Sequence, residues 1–208
     1  MSTREVETLH GPARAHLHPA EKPVGALVLG HGAGGGIEAP DLVAATEAAG
    51  EVGLSVALVE QPYMVAGKKA QPAASKLDEA WVALVEALRG GELEGLPLVV
   101  GGRSAGARVA CRTAAETGAA AVLCLAFPLH PPGKPERSRE AELNEVSLPT
   151  LVVQGEKDPF GRPEEFGNPP SGSQQSLAAV PGDHGLKADT DAVAAAVRDW
   201  LPGAVARR

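Results

Sequence analysis

Two cysteines in 208 residues, Cys111 and Cys124, cannot build a disulfide framework, and a chain this long needs none to hold its core. Both read as buried and inert, and the compartment they suit is a reducing cytoplasm. Aromatic residues are scarce at 3%, so the two tryptophans, Trp81 and Trp200, read as packing anchors. No apolar run approaches the roughly 20 residues of a membrane span, and residues 1–10, with Arg4, Glu5 and Glu7, show no signal-peptide core. Acidic residues outnumber basic ones, 26 to 19, whereas a nucleic-acid binder needs the opposite excess to displace counterions from phosphates. No cluster of metal-ligand type is visible and no cofactor is called for. The expectation is one domain over residues 1–208, a small-molecule substrate, no membrane or nucleic-acid partner, and a monomer or small homo-oligomer.

What is present is ordinary for a folded globular chain: 44% hydrophobic and 22% charged residues. Short β-rich runs alternate with segments of helical period, the pattern of a mostly parallel central sheet with helices on both faces. The strands expected are Ala26–Leu29, Ser55–Val59, Leu98–Val100, Ala121–Leu125, Leu151–Val153 and Ser176–Val180. Val6–Leu9 and Ala15–Leu17 read as an edge hairpin, with Gly11 and Pro12 as its turn. Leu77, Trp81, Leu84, Val85 and Leu88 form one helical stripe, with Ser75 as N-cap and Gly90-Gly91 as stop. Val193, Val197, Trp200 and Leu201 form another, which Pro202 and Gly203 end. Pro128–Pro135 reads as a surface loop.

Chemistry concentrates at Gly101-Gly102-Arg103-Ser104-Ala105-Gly106, where a buried strand runs into a helix-forming stretch. Gly-x-Ser-x-Gly in that setting is a nucleophile elbow: the serine takes a strained turn, and residues two before and two after it must lack bulk. The turn also sets Ser104 at a helix N-terminus, which favours a developing oxyanion. In a chain with 25 glycines the motif arises by chance roughly once in eight such sequences, so context decides. The near-match around Ser55 leads into a strand instead of leaving one.

A serine hydroxyl needs a histidine to take its proton and an acid to hold that histidine. Of the two histidines after Ser104, His184 lies between the last strand and the last helix, while His130 comes too early. Asp158, followed by Pro159 just past a strand, is the chosen acid; Glu156 and Asp183 compete with it. Gly30-His31-Gly32-Ala33-Gly34-Gly35-Gly36 follows the first central strand and offers backbone N–H groups to an anion. The two oxyanion donors are assigned to Ala33 and Ala105. The rival reading of that run as a phosphate loop lacks a Gly-Lys-Ser/Thr and is opposed by Glu38. His31 orders the loop more readily than it titrates.

These segments together resemble the α/β-hydrolase superfamily and its small, lidless, dienelactone-hydrolase-like branch. Leu29–Gly35, Gly101–Arg108, Gln154–Gly161 and Gly182–His184 are also similar to a testis-expressed-protein-like hydrolase subgroup. The resemblance implies a single-domain α/β-hydrolase fold without a cap domain, with Ser104 as nucleophile, Asp158 as acid and His184 as base. Dienelactone hydrolases carry cysteine at the elbow, and this chain carries serine. Candidate pocket residues are His31, Tyr63, Met64, Arg103, Phe127 and His130, although Arg103 suits a structural ion pair better and Tyr63 equally suits loop filling. The activity expected is hydrolysis of a carboxylic ester or thioester through an acyl-enzyme. The alternatives are an acyltransferase using the same three residues and a non-catalytic binding or scaffold protein.

Overall fold

A computed structural model describes residues 2–167 and 173–206. Eight strands form one sheet in the order β1-β2-β4-β3-β5-β6-β7-β8. They are β1 Ser2–Thr8, β2 Gly11–His18, β3 Gly25–Gly30, β4 Leu54–Glu60, β5 Leu98–Arg103, β6 Ala121–Leu125, β7 Thr150–Gly155 and β8 Gln175–Val180. β1 and β2 pair antiparallel, β2 runs antiparallel to β4, and every other pairing is parallel. The helices are α1 Pro40–Glu51, α2 Pro62–Val65, α3 Ala74–Arg89, α4 Ala105–Thr113, α5 Glu140–Asn144 and α6 Thr190–Ala206.

The alternation of side chains along each strand splits the core in two. Ala26 and Val28 of β3 face a cluster with Trp81, Leu84 and Leu88 of α3 and Ala107 and Ala110 of α4. Leu27 and Leu29 face the opposite cluster, with Leu42 and Ala45 of α1 and Val193, Val197 and Leu201 of α6. Both faces are covered, which is why the central strands read as continuous apolar runs. β3 lies between β4 and β5, so the chain departs from it in both directions and leaves a crevice at the carboxyl ends of β3 and β5. The segment between β6 and β7 holds one 3₁₀ turn and α5, and no cap domain is present among the described residues.

Four sequence expectations change. The β1–β2 turn is Leu9-His10: Gly11 and Pro12 already pair with Thr8 and Glu7, and the Thr8 hydroxyl closes the turn by donating to the Gly11 carbonyl at 2.7 Å. Ser75 lies inside α3, whose N-cap is Ala73 with no side-chain cap. α6 continues past Pro202, because Ala204 and Val205 in its last turn are buried, with Val205 packed against Gly25. That burial outweighs the lost N–H and the ring's steric demand. The segment Pro128–Pro135 is a surface loop only in its second half: residues 132–135 are exposed, but Leu129 and His130 are 3% and 6% exposed, and the His130 N–H donates to the Phe160 carbonyl at 2.9 Å.

Trp81 is 1% exposed, and a Cβ placed on Gly30 would stand 3.2 Å from its ring. Its indole therefore fills the space that Gly30 leaves beneath the crevice. Trp81→Ala is expected to lose about 3–5 kcal/mol of stability in urea unfolding, with the cavity opening directly below the elbow.

Candidate active site

The elbow begins with three backbones pressed together. A Cβ on Gly102 would lie 2.6 Å from the Gly30 carbonyl oxygen, and one on Gly106 would strike the same carbonyl. Without these contacts α4 could not start so close to β3. Ser104 itself has φ 53 and ψ −110, a region that side chains rarely adopt. Its N–H donates to the Leu125 carbonyl at 2.9 Å, which ties the strained residue to the end of β6.

Ser104 Oγ lies 2.8 Å from His184 Nε2, and His184 Nδ1 lies 2.8 Å from Asp158 Oδ2. Asp158 is fully buried after β7, while Glu156 and Asp183 are exposed. Two donors hold its carboxylate: the Gln154 amide reaches Oδ2 at 2.9 Å and the Phe160 N–H reaches Oδ1 at 2.8 Å. A carboxylate held in this way has a fixed direction, and its contact with Nδ1 leaves His184 Nε2 facing the Ser104 hydroxyl. Phe160 also stacks on His184, with ring centroids 4.2 Å apart and planes tilted by 31°.

Across the crevice, the loop after β3 rests on His31, which is 3% exposed. The Gln61 N–H donates to His31 Nε2 at 3.2 Å, so the ring proton sits on Nδ1 and donates to the Gly32 carbonyl at 2.8 Å. Only the neutral ring makes both bonds, and burial holds the His31 pKa below 6.5. Tyr63, 6% exposed, packs its ring 5.7 Å from that of His31. Ala33 is exposed on the loop and Ala105 is the first residue of α4. Neither backbone N–H donates to another group among the described residues.

The remaining pocket candidates divide. Met64 lines a groove of about 380 Å³ together with Ala33 and the glycines after it. Phe127 is fully buried beside Gln154, and its carbonyl accepts from the Gln154 amide at 3.3 Å. His130 bonds to Glu165 at 3.0 Å; its ring hydrogen bond to the Pro131 carbonyl and the nearby Glu165 raise its pKa above 6.5. Arg103 points away from the groove: its Nε pairs with the buried Asp41 at 2.9 Å, and its Nη2 donates to the His184 carbonyl at 2.7 Å. A Cβ on Gly32 would come within 2.8 Å of the same guanidinium. One side chain thus spans α1, the loop after β3 and the loop that carries His184. Burial pushes the Asp41 carboxyl up, and the adjacent guanidinium opposes that shift.

A family model described as an alpha/beta hydrolase domain matches residues 23–198. The chain belongs to the α/β hydrolase family. Among solved structures, the fold is similar to Est1E from Butyrivibrio proteoclasticus at TM-score 0.81 and 16% identity, over 100% of both chains. A dienelactone hydrolase from Anabaena variabilis aligns at TM-score 0.77 and 19% identity, over 97% of this chain and 96% of that one. A lidless serine hydrolase from Xanthomonas campestris aligns at TM-score 0.72 and 19% identity, over 97% and 95%. Comparison with curated protein sequences found no match.

Sequence reasoning missed how this hydrolase supports its crevice. Gln154, a polar residue closing an apolar strand beside Asp158, carried a signal; Asp41 and Phe160 carried none, because their partners lie 62 and 24 positions away in the chain. Two outcomes follow. Arg103→Met is expected to lower kcat about 10- to 100-fold on an activated ester with KM little changed, since a displaced His184 spoils the chemical step. Arg103→Lys, which keeps the Asp41 charge pair, should recover part of that loss. As for pH, below 6.5 the unfolded chain takes up a proton that folded His31 resists, so stability falls towards acid. Urea midpoints at pH 8 and pH 5.5 should therefore separate more for wild type than for His31→Asn.

Proposed function

We propose that this α/β hydrolase is a serine hydrolase that cleaves carboxylic esters or thioesters through an acyl-enzyme. The observation that carries the reading is the continuous pair of 2.8 Å contacts from Ser104 through His184 to Asp158. His184 removes the Ser104 proton as Oγ attacks the acyl carbon. The carbonyl oxygen takes the negative charge and is received by the N–H groups of Ala33 and Ala105. His184 then gives its proton to the departing alkoxide or thiolate. Water, deprotonated by His184, attacks the acyl-enzyme; the free acid leaves and Ser104 recovers its proton. Asp158 balances the imidazolium in both halves.

The exposure of Ala33 and Gly34 leaves the acyl carbon open to water, which favours hydrolysis over transfer to another acceptor. The lidless serine hydrolase and the dienelactone hydrolase among the structural neighbours support the same chemistry at the level of fold. Within the family, the quoted motifs resemble those of the testis-expressed-protein-like hydrolases, and free Cys111 and Cys124, 3.5 Å apart, suit a reducing cytoplasm. A fluorophosphonate probe should add once to the intact wild-type chain and not to Ser104→Ala, as read by intact mass. A folded wild type that takes no probe would favour the scaffold reading instead.

A further inference from the structure

The groove beside Ala33 runs between two walls of different character. One wall is the loop 33–36, and the other is Met64, Gly67, Lys68 and Lys69. It starts close to the nucleophile, since a Cβ on the neighbouring Gly32 would stand 3.5 Å from that of Ser104. Gly34, Gly35 and Gly36 have φ outside the left-handed region, and a Cβ on any of them would meet nothing within 4 Å. Neither strain nor packing asks for glycine at these three positions. Their shared effect is to keep the groove free of side chains.

The opposite wall is built to present charge. Gly67 at φ +69 turns the chain after α2, and its N–H bonds to the Met64 carbonyl at 2.8 Å. The Lys68 N–H bonds to the Tyr63 carbonyl, also at 2.8 Å. Both lysine side chains are exposed at the groove edge. Among the described residues they are the only charged ones that line it, in a chain where acidic residues outnumber basic ones 26 to 19. Glu38, two positions past the glycines, does not line it. Lys68 also borders an adjoining cavity of about 380 Å³ whose other ionisable lining groups are His10, Tyr63 and Lys76. Lys68 and Lys69 thus put positive charge at the groove in a chain of formal net charge −7.

We infer that the substrate is an anionic ester or thioester, with a carboxylate a few atoms from the scissile carbonyl held by Lys68 and Lys69. This rests on the hydrolase reading above and names the substrate class of that same site. Two pairs of esters test it and separate the acyl side from the leaving-group side. They are p-nitrophenyl hydrogen glutarate against p-nitrophenyl butyrate, and 3-carboxyphenyl butyrate against phenyl butyrate. The expected result is about a tenfold higher kcat/KM for the anionic member of at least one pair, shrinking as salt screens the lysines. In the Lys68→Ala/Lys69→Ala double variant that ratio should fall to about one, and in Lys68→Glu/Lys69→Glu it should invert. Equal turnover within both pairs, or a preference that survives the double alanine variant, overturns the inference while leaving the hydrolase reading intact. If no ester is cleaved and Ser104 takes no fluorophosphonate, the hydrolase reading fails first and the substrate class with it.

Discussion

The arrangement depends on how closely three backbones approach beneath the crevice. Gly30 ends β3, Gly102 lies near the end of β5 and Gly106 lies in the first turn of α4, and side chains at the latter two would occupy space that the Gly30 carbonyl already fills. Because they meet, α4 starts directly above β3 and Ser104 is forced to φ 53. That strain is borne by the sheet, through the Ser104 bond to Leu125 and the neighbouring pairs of β5 with β3 and β6. The same contact brings the loop after β3 beside the serine, where a Cβ on Gly32 would stand 3.5 Å from that of Ser104.

Around that contact lies a layer of buried polar groups, several of which tie the crevice loops together. Gln154 and the Phe160 N–H hold Asp158, the Asp41–Arg103 pair holds the His184 loop, and His31 holds the loop after β3. Buried groups of this kind cost stability unless they are paired, and once paired they allow few alternative geometries. Charge is divided accordingly: Asp41 and Asp158 lie buried beside Arg103 and His184, while Lys68 and Lys69 are exposed at the groove.

Much of this was legible along the chain because local rules are strong where backbone conformation is extreme. A glycine two before and two after a serine, between an apolar strand and a helix, has few other uses. The sheet was legible because strands covered on both faces must be apolar throughout. The errors fell where a distant contact overruled a local preference. Pro202 stops a helix in isolation, yet α6 continues because Ala204 and Val205 find a buried place. Gly11 and Pro12 suit a turn, but pairing with Thr8 and Glu7 draws them into β2. His130 and Leu129 sit in a proline-rich stretch that looks solvent-facing until the Phe160 segment closes over them.

By itself the sequence determined the order of strands and helices, the identity of the elbow serine, and a short set of acids and histidines placed after strands. Those depend on neighbours in the chain, so spacing carries them. Tertiary structure alone decided that Gln154 and Phe160 hold Asp158 against His184, that the partner of Arg103 is Asp41, and that Lys68 and Lys69 border the groove beside Ala33. Each of these joins segments far apart in sequence. The physical reason is the same throughout: direction and burial are set by where the sheet brings loops together, and no local pattern encodes that distance.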